Sequence, residues 1–204
     1  STHDLLSELR RTWDPLTNLA WSDKMREWGA VELDAGREIS ILFIDLDNFG
    51  EVNKRKGHIF GDRVLIRVAA LLESVADPKE IVVRYGGDEF AIGTNRDHQG
   101  ALELREKLHT EAAIKLIDED GSPITFSVGV AGGRRSKFRA DTHVTSMLDE
   151  LINAASRDAL SRKRPKAGGS QPKLEDTPEA FSRKPETPYS ADEPYRPRFD
   201  VEQA

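Results

Sequence analysis

Two adjacent carboxylates, Asp88 and Glu89, end the string Gly86-Gly87-Asp88-Glu89. The string lies between two short apolar runs, residues 81–83 and 90–92, and each run predicts a buried strand. Paired glycines between two strands predict a hairpin, because glycine takes positive φ without strain. Carboxylates at such a turn suit Mg²⁺, which prefers hard oxygen ligands, and the glycines allow a phosphate to approach the backbone. A solvated acidic turn is the simpler alternative.

A second acidic position lies where another predicted strand ends. Residues 39–45 are nearly all apolar until Asp45, a pattern typical of a strand covered on both faces. Phe49 and Asn53 follow, and the string Gly57-His58-Ile59-Phe60-Gly61-Asp62 leads into an apolar segment with helical periodicity. A carboxylate at the end of a central strand is well placed to hold a metal ion.

Further patterns predict the elements around these groups. Residues 99–117 and residues 144–155 both have the periodicity of amphipathic helices. Residues 123–131 alternate between large and small side chains, which predicts a half-buried strand. Residues 1–13 carry apolar side chains at helical spacing and are expected to form an N-terminal helix or the end of an upstream one.

Three blocks of the sequence resemble one known family. The string Gly-Gly-Asp-Glu-Phe that starts at Gly86 resembles the signature of the GGDEF domains, the diguanylate cyclases, and residues 43–62 resemble the first half of that pattern at family spacing. Asp14-Pro15-Leu16-Thr17-Asn18-Leu19 resembles the family's Asp-x-Leu-Thr-Gly-Leu motif. Asn18 stands in place of the family's glycine, a conservative change because asparagine tolerates the left-handed conformation. The resemblance covers residues 14–167.

This resemblance implies a fold class and an activity. The fold is α/β of the α+β kind, a palm-like nucleotidyl cyclase fold with a central, mostly antiparallel sheet surrounded by helices. The activity is that of a diguanylate cyclase, a nucleotidyltransferase that condenses two molecules of GTP into cyclic di-GMP and releases two pyrophosphates. Each domain holds one GTP, so turnover requires a homodimer. Mg²⁺ or Mn²⁺ activates the attacking 3′-hydroxyl.

The family also implies roles for the carboxylates. By resemblance, the metal ligands are Asp45, Asp88 and the backbone carbonyl of Leu46. Asp88 is also the implied proton acceptor, and Glu89 is expected to assist catalysis from beside the metal. Asp47 is instead expected to have a structural role, a hydrogen bond within its own turn.

The implied nucleotide ligands are chemically suited to GTP. Asp62 and Asn53 match the family's guanine readers, and a carboxylate can accept both N1–H and N2–H₂ of guanine. Adenine lacks this pair of donors, so Asp62 favours GTP. Phe49 is expected beneath the base, and His58 is either a further contact or a packed or capping histidine. The complete implied set is Asn53, Asp62, Phe49, His58, Lys163, Gly86 and Gly87, with Lys163 as the phosphate ligand.

The sequence departs from the family at several contacts. The family's lysine after Phe49 is Gly50 here, and its last arginine is Ala167. The run Lys54-Arg55-Lys56 either replaces the lost charge or forms a solvated loop. Many cyclases bind their product through Arg-x-x-Asp as a brake, and this stretch is here Asp77-Pro78-Lys79-Glu80. The inhibitory site is therefore expected to be missing.

These departures keep two alternatives open. One is a catalytically weak or silent GGDEF domain that acts as a nucleotide receptor or protein-interaction module. Gly50 favours it, whereas Asp45 and Asp88 oppose it. The other is a cyclase with a different product, such as a mixed guanine–adenine dinucleotide, which Asp62 disfavours.

Composition bounds the remaining classes. The 204 residues carry a net charge of −6, which argues against nucleic-acid binding. Cysteine is absent, which excludes disulfides and thiolate metal sites and fits a cytoplasmic location. No apolar run reaches the roughly 20 residues of a membrane span, so no membrane segment is expected. Residues 168–204 are rich in proline and charge, which predicts a plain disordered tail. The alternative is a tail that contacts a protein partner through Tyr189, Tyr195 and Phe199.

Overall fold

The structure, a computed structural model, describes residues 12–133 and 144–163, with side chains from residue 147 onward in the second range. The expected N-terminal helix lies outside the described residues up to residue 11. Trp13 pairs with Ala20 in an isolated antiparallel bridge. The predicted tail over residues 168–204 also lies outside the described residues.

Five strands form one sheet in the order β1-β3-β4-β2-β5. The pairing of β1 with β3 is parallel, and the other three pairings are antiparallel. The predicted mixed fold with a mostly antiparallel sheet and surrounding helices is confirmed. The strands are β1 (Ala20–Trp21), β2 (Ser40–Leu46), β3 (Ile81–Arg84), β4 (Glu89–Thr94) and β5 (Phe126–Gly132).

Helices cover both faces of the sheet. They are α1 (Ser22–Asp34), α2 (Phe49–Lys56), α3 (His58–Val75), α4 (His98–Lys115) and α5 (Val144–Arg162). One core lies between the sheet and helices α3 and α4, and the other lies between the sheet and helices α1 and α5. The three long helices α3, α4 and α5 confirm the helical periodicities of the sequence. In the described parts of the chain no helix is long and apolar enough to cross a membrane.

Strand β2 is an interior strand between β4 and β5 and is covered on both faces, as its apolar run predicts. Leu42 and Ile44 belong to the core under α3 and α4, whereas Ile41 and Phe43 belong to the core under α1 and α5. Alternate side chains of a strand point to opposite faces, so both faces of β2 need a helical cover. Asp45 is the first polar residue on this strand after Ser40, and it lies on the face of Ile41 and Phe43.

The expectation of a half-buried strand at residues 123–131 is wrong. Strand β5 starts at Phe126, and its first five residues are buried on both faces. The small residues of its second face admit helix α5: a Cβ on Gly129 would lie 1.9 Å from the carbonyl oxygen of Ala155. Alternation of large and small side chains therefore marked a close helix contact here, not exposure to solvent.

Candidate nucleotide and metal site

The predicted hairpin is confirmed, with β3 and β4 joined by a turn over residues 85–88. The backbone N–H groups of Tyr85 and Gly86 donate to the carbonyl of Glu89 at 2.8 and 3.2 Å. The expectation that the glycines take positive φ is wrong, since neither has it. Gly86 provides space instead, because a Cβ there would lie 2.7 Å from Glu89 Oε2. Around Gly87 the surface is open, with no atom within 4 Å of a Cβ position.

Arg84, the last residue of β3, holds the turn from inside. Its Nε and Nη2 donate to the carbonyls of Gly86 and Gly87 at 3.2 and 2.7 Å. Its Nη1 donates to Asp14 Oδ2 at 2.6 Å, and the two side chains are only 10% and 4% exposed. One guanidinium thus fixes two carbonyls of the turn and joins them to the N-terminal motif. Sequence reasoning assigned Arg84 no role, because its acidic partner is 70 residues away.

Asp14 organises the N-terminal motif around the same ion pair. Its carboxylate accepts the backbone N–H of Leu16 at 3.2 Å and both the N–H and the hydroxyl of Thr17 at 3.1 and 2.7 Å. Asn18 takes the expected left-handed conformation, with φ 61°. Burial alone would raise the pKa of Asp14, but the hydrogen bonds from Thr17 and Arg84 outweigh burial and lower that pKa.

The predicted catalytic carboxylates meet at one end of the sheet. Asp45 lies directly opposite Glu89 in the register of β2 and β4, and the backbone N–H of Leu46 donates to the carbonyl of Asp88 at 3.2 Å. Burial raises the pKa of Asp45, and burial together with the charges of Asp45 and Asp88 raises the pKa of Glu89. Like charges opposite each other destabilise a sheet, so this cluster favours a bound cation.

Lys163 contacts this cluster from the end of α5. Its Nζ lies 2.7 Å from Asp45 Oδ2, and the two side chains are 34% and 16% exposed. This ion pair partly offsets the rise that burial causes in the pKa of Asp45. The residue expected to bind phosphate therefore lies at the carboxylate expected to bind metal.

The donor set fits a magnesium ion that keeps part of its own hydration shell. Within residues 12–133 and 144–163, no three His, Cys, Asp or Glu side chains converge into a metal cluster. Mg²⁺ is usually held by one or two carboxylates and takes its remaining ligands from water and substrate phosphates. Asp45 and Asp88 with the carbonyl of Leu46 would form such a partial set.

Asp47 differs from its expectation. Its Oδ1 accepts the hydroxyl of Ser127 at 2.9 Å instead of a group in its own turn. Its backbone N–H donates to the carbonyl of Thr125 at 2.9 Å. Because β5 pairs with β2, the neighbouring strand supplies both partners, and Asp47 fastens the end of β2 to β5.

Helix α2 turns away from β2 and carries the predicted base contacts. Asn48 takes φ 56°, which reverses the chain, and Phe49 packs half-buried against the core. In the described residues the Oδ1 atom of Asn53 is buried without a hydrogen-bond partner. A Cβ on Gly61 would lie 1.9 Å from this atom, so a glycine lets α3 approach α2 closely. An unpaired buried amide oxygen is costly to the fold.

Asp62 and His58 lie near the start of α3, and both are exposed. Gly57 is the N-cap of this helix, so Asp62 does not have the capping role. Among the described residues Asp62 makes no hydrogen bond or ion pair, which leaves its carboxylate able to accept donors from a ligand. The alternative of a packed histidine is wrong for His58, because its side chain faces solvent.

The basic run that follows Asn53 is largely paired with acids. Lys54 Nζ lies 3.2 Å from Glu51 Oε1 on the surface of α2. Lys56 Nζ lies 2.8 Å from Asp118 Oδ2 and also contacts the carboxylate of Asp120. The position of the family's lysine is open, since a Cβ on Gly50 would meet no atom within 4 Å.

Residues 77–80, where the inhibitory product site was expected to be missing, form ion pairs with Arg96. Arg96 donates through Nε to Glu80 Oε1 and through Nη2 to Asp77 Oδ2, both at 2.6 Å. The hydroxyl of Thr94 also donates to Glu80 Oε1 at 2.6 Å, and the Glu80 side chain is only 6% exposed. Burial would raise the pKa of Glu80, but the hydrogen bonds from Arg96 and Thr94 lower it. Sequence reasoning did not identify Arg96.

Comparison with known proteins matches most of the chain to one family. Residues 11–159 match the family model described as "Diguanylate cyclase, GGDEF domain". Diguanylate cyclase TpbB of Pseudomonas aeruginosa is 35% identical over 98 residues, which are 46% of this chain and 22% of that protein. Diguanylate cyclase A of Treponema denticola is 36% identical over 96 residues, covering 46% and 26%. Cyclic di-GMP phosphodiesterase PdeB of Shewanella oneidensis is 27% identical over 134 residues, covering 64% and 16%. The matches thus span a minor part of each relative's length.

Solved structures show the same architecture. The coiled-coil and GGDEF domain of DgcB from Caulobacter crescentus, in complex with c-di-GMP, has a TM-score of 0.64 at 26% identity. That match covers 79% of this chain and 88% of DgcB. Diguanylate cyclase SiaD of Pseudomonas aeruginosa, in complex with its activator SiaC, has a TM-score of 0.62 at 27% identity. It covers 78% of this chain and 63% of SiaD.

Proposed function

Because this chain belongs to the GGDEF domain family, we propose that it is a diguanylate cyclase, which joins two GTP into cyclic di-GMP. The observation that carries the proposal is the meeting of Asp45, Asp88 and Glu89 at one end of the sheet, beside the open turn at Gly87. Burial and mutual repulsion raise the pKa values of Asp45 and Glu89, as expected of clustered carboxylates whose charge a bound cation would neutralise.

The chemistry divides among the residues of the acidic cluster. A bound Mg²⁺ or Mn²⁺ would neutralise charge on the reacting oxygens and lower the pKa of the attacking 3′-hydroxyl. Asp45, Asp88 and the carbonyl of Leu46 would hold the ion. Asp88 accepts the proton of the 3′-hydroxyl, and Glu89 assists catalysis from beside the metal ion. Arg84 keeps the turn in place, because it binds two of its carbonyls.

The guanine base would bind at helix α2 and the start of α3, next to the acidic cluster. Asp62 accepts the N1–H and N2–H₂ groups of guanine, Asn53 offers a further acceptor, and Phe49 and His58 lie alongside the base. Lys163 binds phosphate by exchanging one oxygen partner, a carboxylate of Asp45, for another. The open backbone at Gly87 admits the bulk of the triphosphate, with Gly86 beside it in the same turn.

The proposed enzyme works as a homodimer, since one domain of this kind binds one GTP and the product contains two. Control by a protein partner belongs to the same proposal, with residues 168–204 as the predicted contact. SiaD, which was solved with its activator SiaC, provides a precedent in a related protein.

Product analysis tests this function directly. The purified chain is incubated with GTP and Mg²⁺, and the product is identified by its mass at several protein concentrations. We expect cyclic di-GMP, with a specific activity that rises as dimers form. A rate per monomer that stays constant while size measurements show dissociation would contradict the dimer mechanism. Tight GTP binding without product would support the silent-receptor alternative, which the open position at Gly50 favours.

A further inference from the structure

Helix α2 has an unusual means of attachment for a helix that carries proposed ligand contacts. It has eight residues, and none of them is buried. Helices of globular proteins normally gain their position from a buried apolar face, and short helices are marginal alone. Phe49 packs half-buried at its first residue, so the N-terminal end has an apolar anchor. Its C-terminal end needs another kind of anchor.

Lys56, the last residue of α2, provides one. Its Nζ binds Asp118 Oδ2 at 2.8 Å and also binds the carboxylate of Asp120. The same Nζ lies 4.7 Å from the centre of the Phe60 ring, which is cation–π distance. The side chain of Lys56 is only 22% exposed and that of Asp118 only 9%. The anchor thus joins α2 to a loop 62 residues further along the chain.

The loop presents Asp118 in a fixed orientation. Asp118 Oδ1 accepts the backbone N–H groups of Asp120 and Ser122 at 2.8 and 3.0 Å, and this leaves Oδ2 for Lys56. The Asp118 N–H donates to the Ser122 carbonyl at 2.8 Å, and Ile117 and Pro123 form a bridge across the loop. The hydrogen bond from Lys56 lowers the pKa of Asp118, so the pair is charged at neutral pH.

We propose that Lys56 is a positioning residue for guanine recognition. It holds the last turn of α2 against the loop at Asp118, and thereby keeps Asn53 on the backbone of Gly61 beside Asp62. This inference rests on the proposed function, because Asn53 and Asp62 are its guanine readers. Lys56 is not a phosphate ligand in this arrangement, since two carboxylates and an aromatic ring already surround its ammonium group.

The variant Lys56→Met keeps the aliphatic length and removes the charge. Binding of GTP and of inosine triphosphate, which lacks the 2-amino group, is measured by calorimetry together with kcat at saturating GTP. We expect GTP affinity to fall roughly 3- to 10-fold and the preference for GTP over inosine triphosphate to shrink. The kcat should stay within about twofold, because the reacting groups lie on β2, β4 and the β3–β4 turn rather than on α2. Lys56→Arg should restore most of the affinity.

The matched control is Arg63→Met. Arg63 Nη1 contacts Glu119 in the same loop at 3.1 Å, but both side chains are more than half exposed. Its loss should leave affinity and base preference unchanged. Hydrogen exchange of the α2 amides provides a readout that needs no nucleotide: exchange should accelerate in Lys56→Met and not in Arg63→Met.

Several outcomes would overturn the inference. Unchanged GTP affinity in Lys56→Met would do so, as would unchanged exchange in α2. An equal loss for both nucleotides would identify Lys56 as a phosphate contact instead. A wild-type chain that binds no GTP would refute the proposed function and the guanine role together, while the exchange measurement would still report separately on the anchor.

Discussion

The two halves of the candidate site are built in different ways. In the reaction half, Asp45 and Glu89 stand on paired strands and Asp88 on the turn between β3 and β4, and the nearby ion pair of Arg84 with Asp14 is almost completely buried. The recognition half, helix α2 and the start of α3, has no buried residue in α2, and Lys56 at the end of α2 forms ion pairs with a distant loop. The proposed reaction geometry would therefore be fixed by the fold, whereas the proposed base recognition would depend on contacts near the surface.

The largest expected effect lies in the reaction half. Asp88→Ala removes a proposed metal ligand and proton acceptor from a half-buried position on the turn, so kcat should fall by about 10³-fold or more. The fold should persist, which circular dichroism and the melting temperature check. Near-normal turnover in a folded Asp88→Ala protein would refute the metal assignment.

The buried ion pair should be the most sensitive point for stability. Asp14→Asn leaves the Arg84 guanidinium buried without its charge partner, and we expect a loss of about 3–5 kcal/mol in the free energy of unfolding. Urea denaturation measures this loss. The control is Asp23→Asn, because Asp23 pairs with Arg26 at 3.6 Å on the surface of α1. Equal stability of the two variants would show that the buried pair does not stabilise the fold.

The same ion pair predicts a pH dependence with a defined sign. The pKa of Asp14 is lowered in the folded state, so its stabilisation is complete above the ordinary value of 3.8. It is lost as the pH falls through the lower folded pKa. The wild type should therefore lose more stability than Asp14→Asn on acidification below about pH 4. Identical acid profiles of the two proteins would contradict this assignment.

A smaller effect is expected in the recognition half. Asp62→Ala should weaken GTP binding by about 1.5–3 kcal/mol, the range for hydrogen bonds to a charged group, and leave ATP binding almost unchanged. Nucleotide titration of both variants provides the measurement, with Glu73→Ala on the exposed side of α3 as the control. Equal weakening for both nucleotides would assign Asp62 a structural role.

The smallest expected effect concerns inhibition by product. Asp77 and Glu80 stand where an arginine and an aspartate would grip cyclic di-GMP, and Arg96 already binds both acids. Carboxylates repel the phosphates of the product and cannot form the bidentate contact of a guanidinium. Progress curves in GTP should be unchanged by added micromolar cyclic di-GMP. Strong non-competitive inhibition that disappears in Asp77→Ala would show that product binds there.

The sequence predicted those parts of the molecule that depend on local order. Periodicity located the interior strand β2, the hairpin and three long helices, because burial of one face repeats at the spacing of the element. Periodicity misjudged the burial of β5. A small residue such as Gly129 gives the same sequence pattern whether solvent or a helix backbone covers that face of the strand. The hairpin was predicted correctly, but for the wrong reason. Gly86 does not take positive φ; it leaves room for the carboxylate of Glu89.

Contacts between distant residues remained outside the reach of sequence reasoning. Arg84 and Asp14 are 70 residues apart, and Lys56 and Asp118 are 62 apart. Each charge has many candidate partners in a chain with 30 basic and 36 acidic side chains, so only the fold selects the pair. The family motif indicated where the site residues lie in the chain, but not which side chains hold them.

The open position at Gly50 has a consequence for how this domain can change over evolutionary time. Its φ is not positive, and a side chain there would meet no neighbouring atom at its Cβ. Gly50 is the second residue of α2, so a longer side chain there would lie on the first turn of the helix without a steric clash. A phosphate contact for the proposed GTP site could thus arise from a change at this one surface position, while the packed sheet beneath stays unchanged.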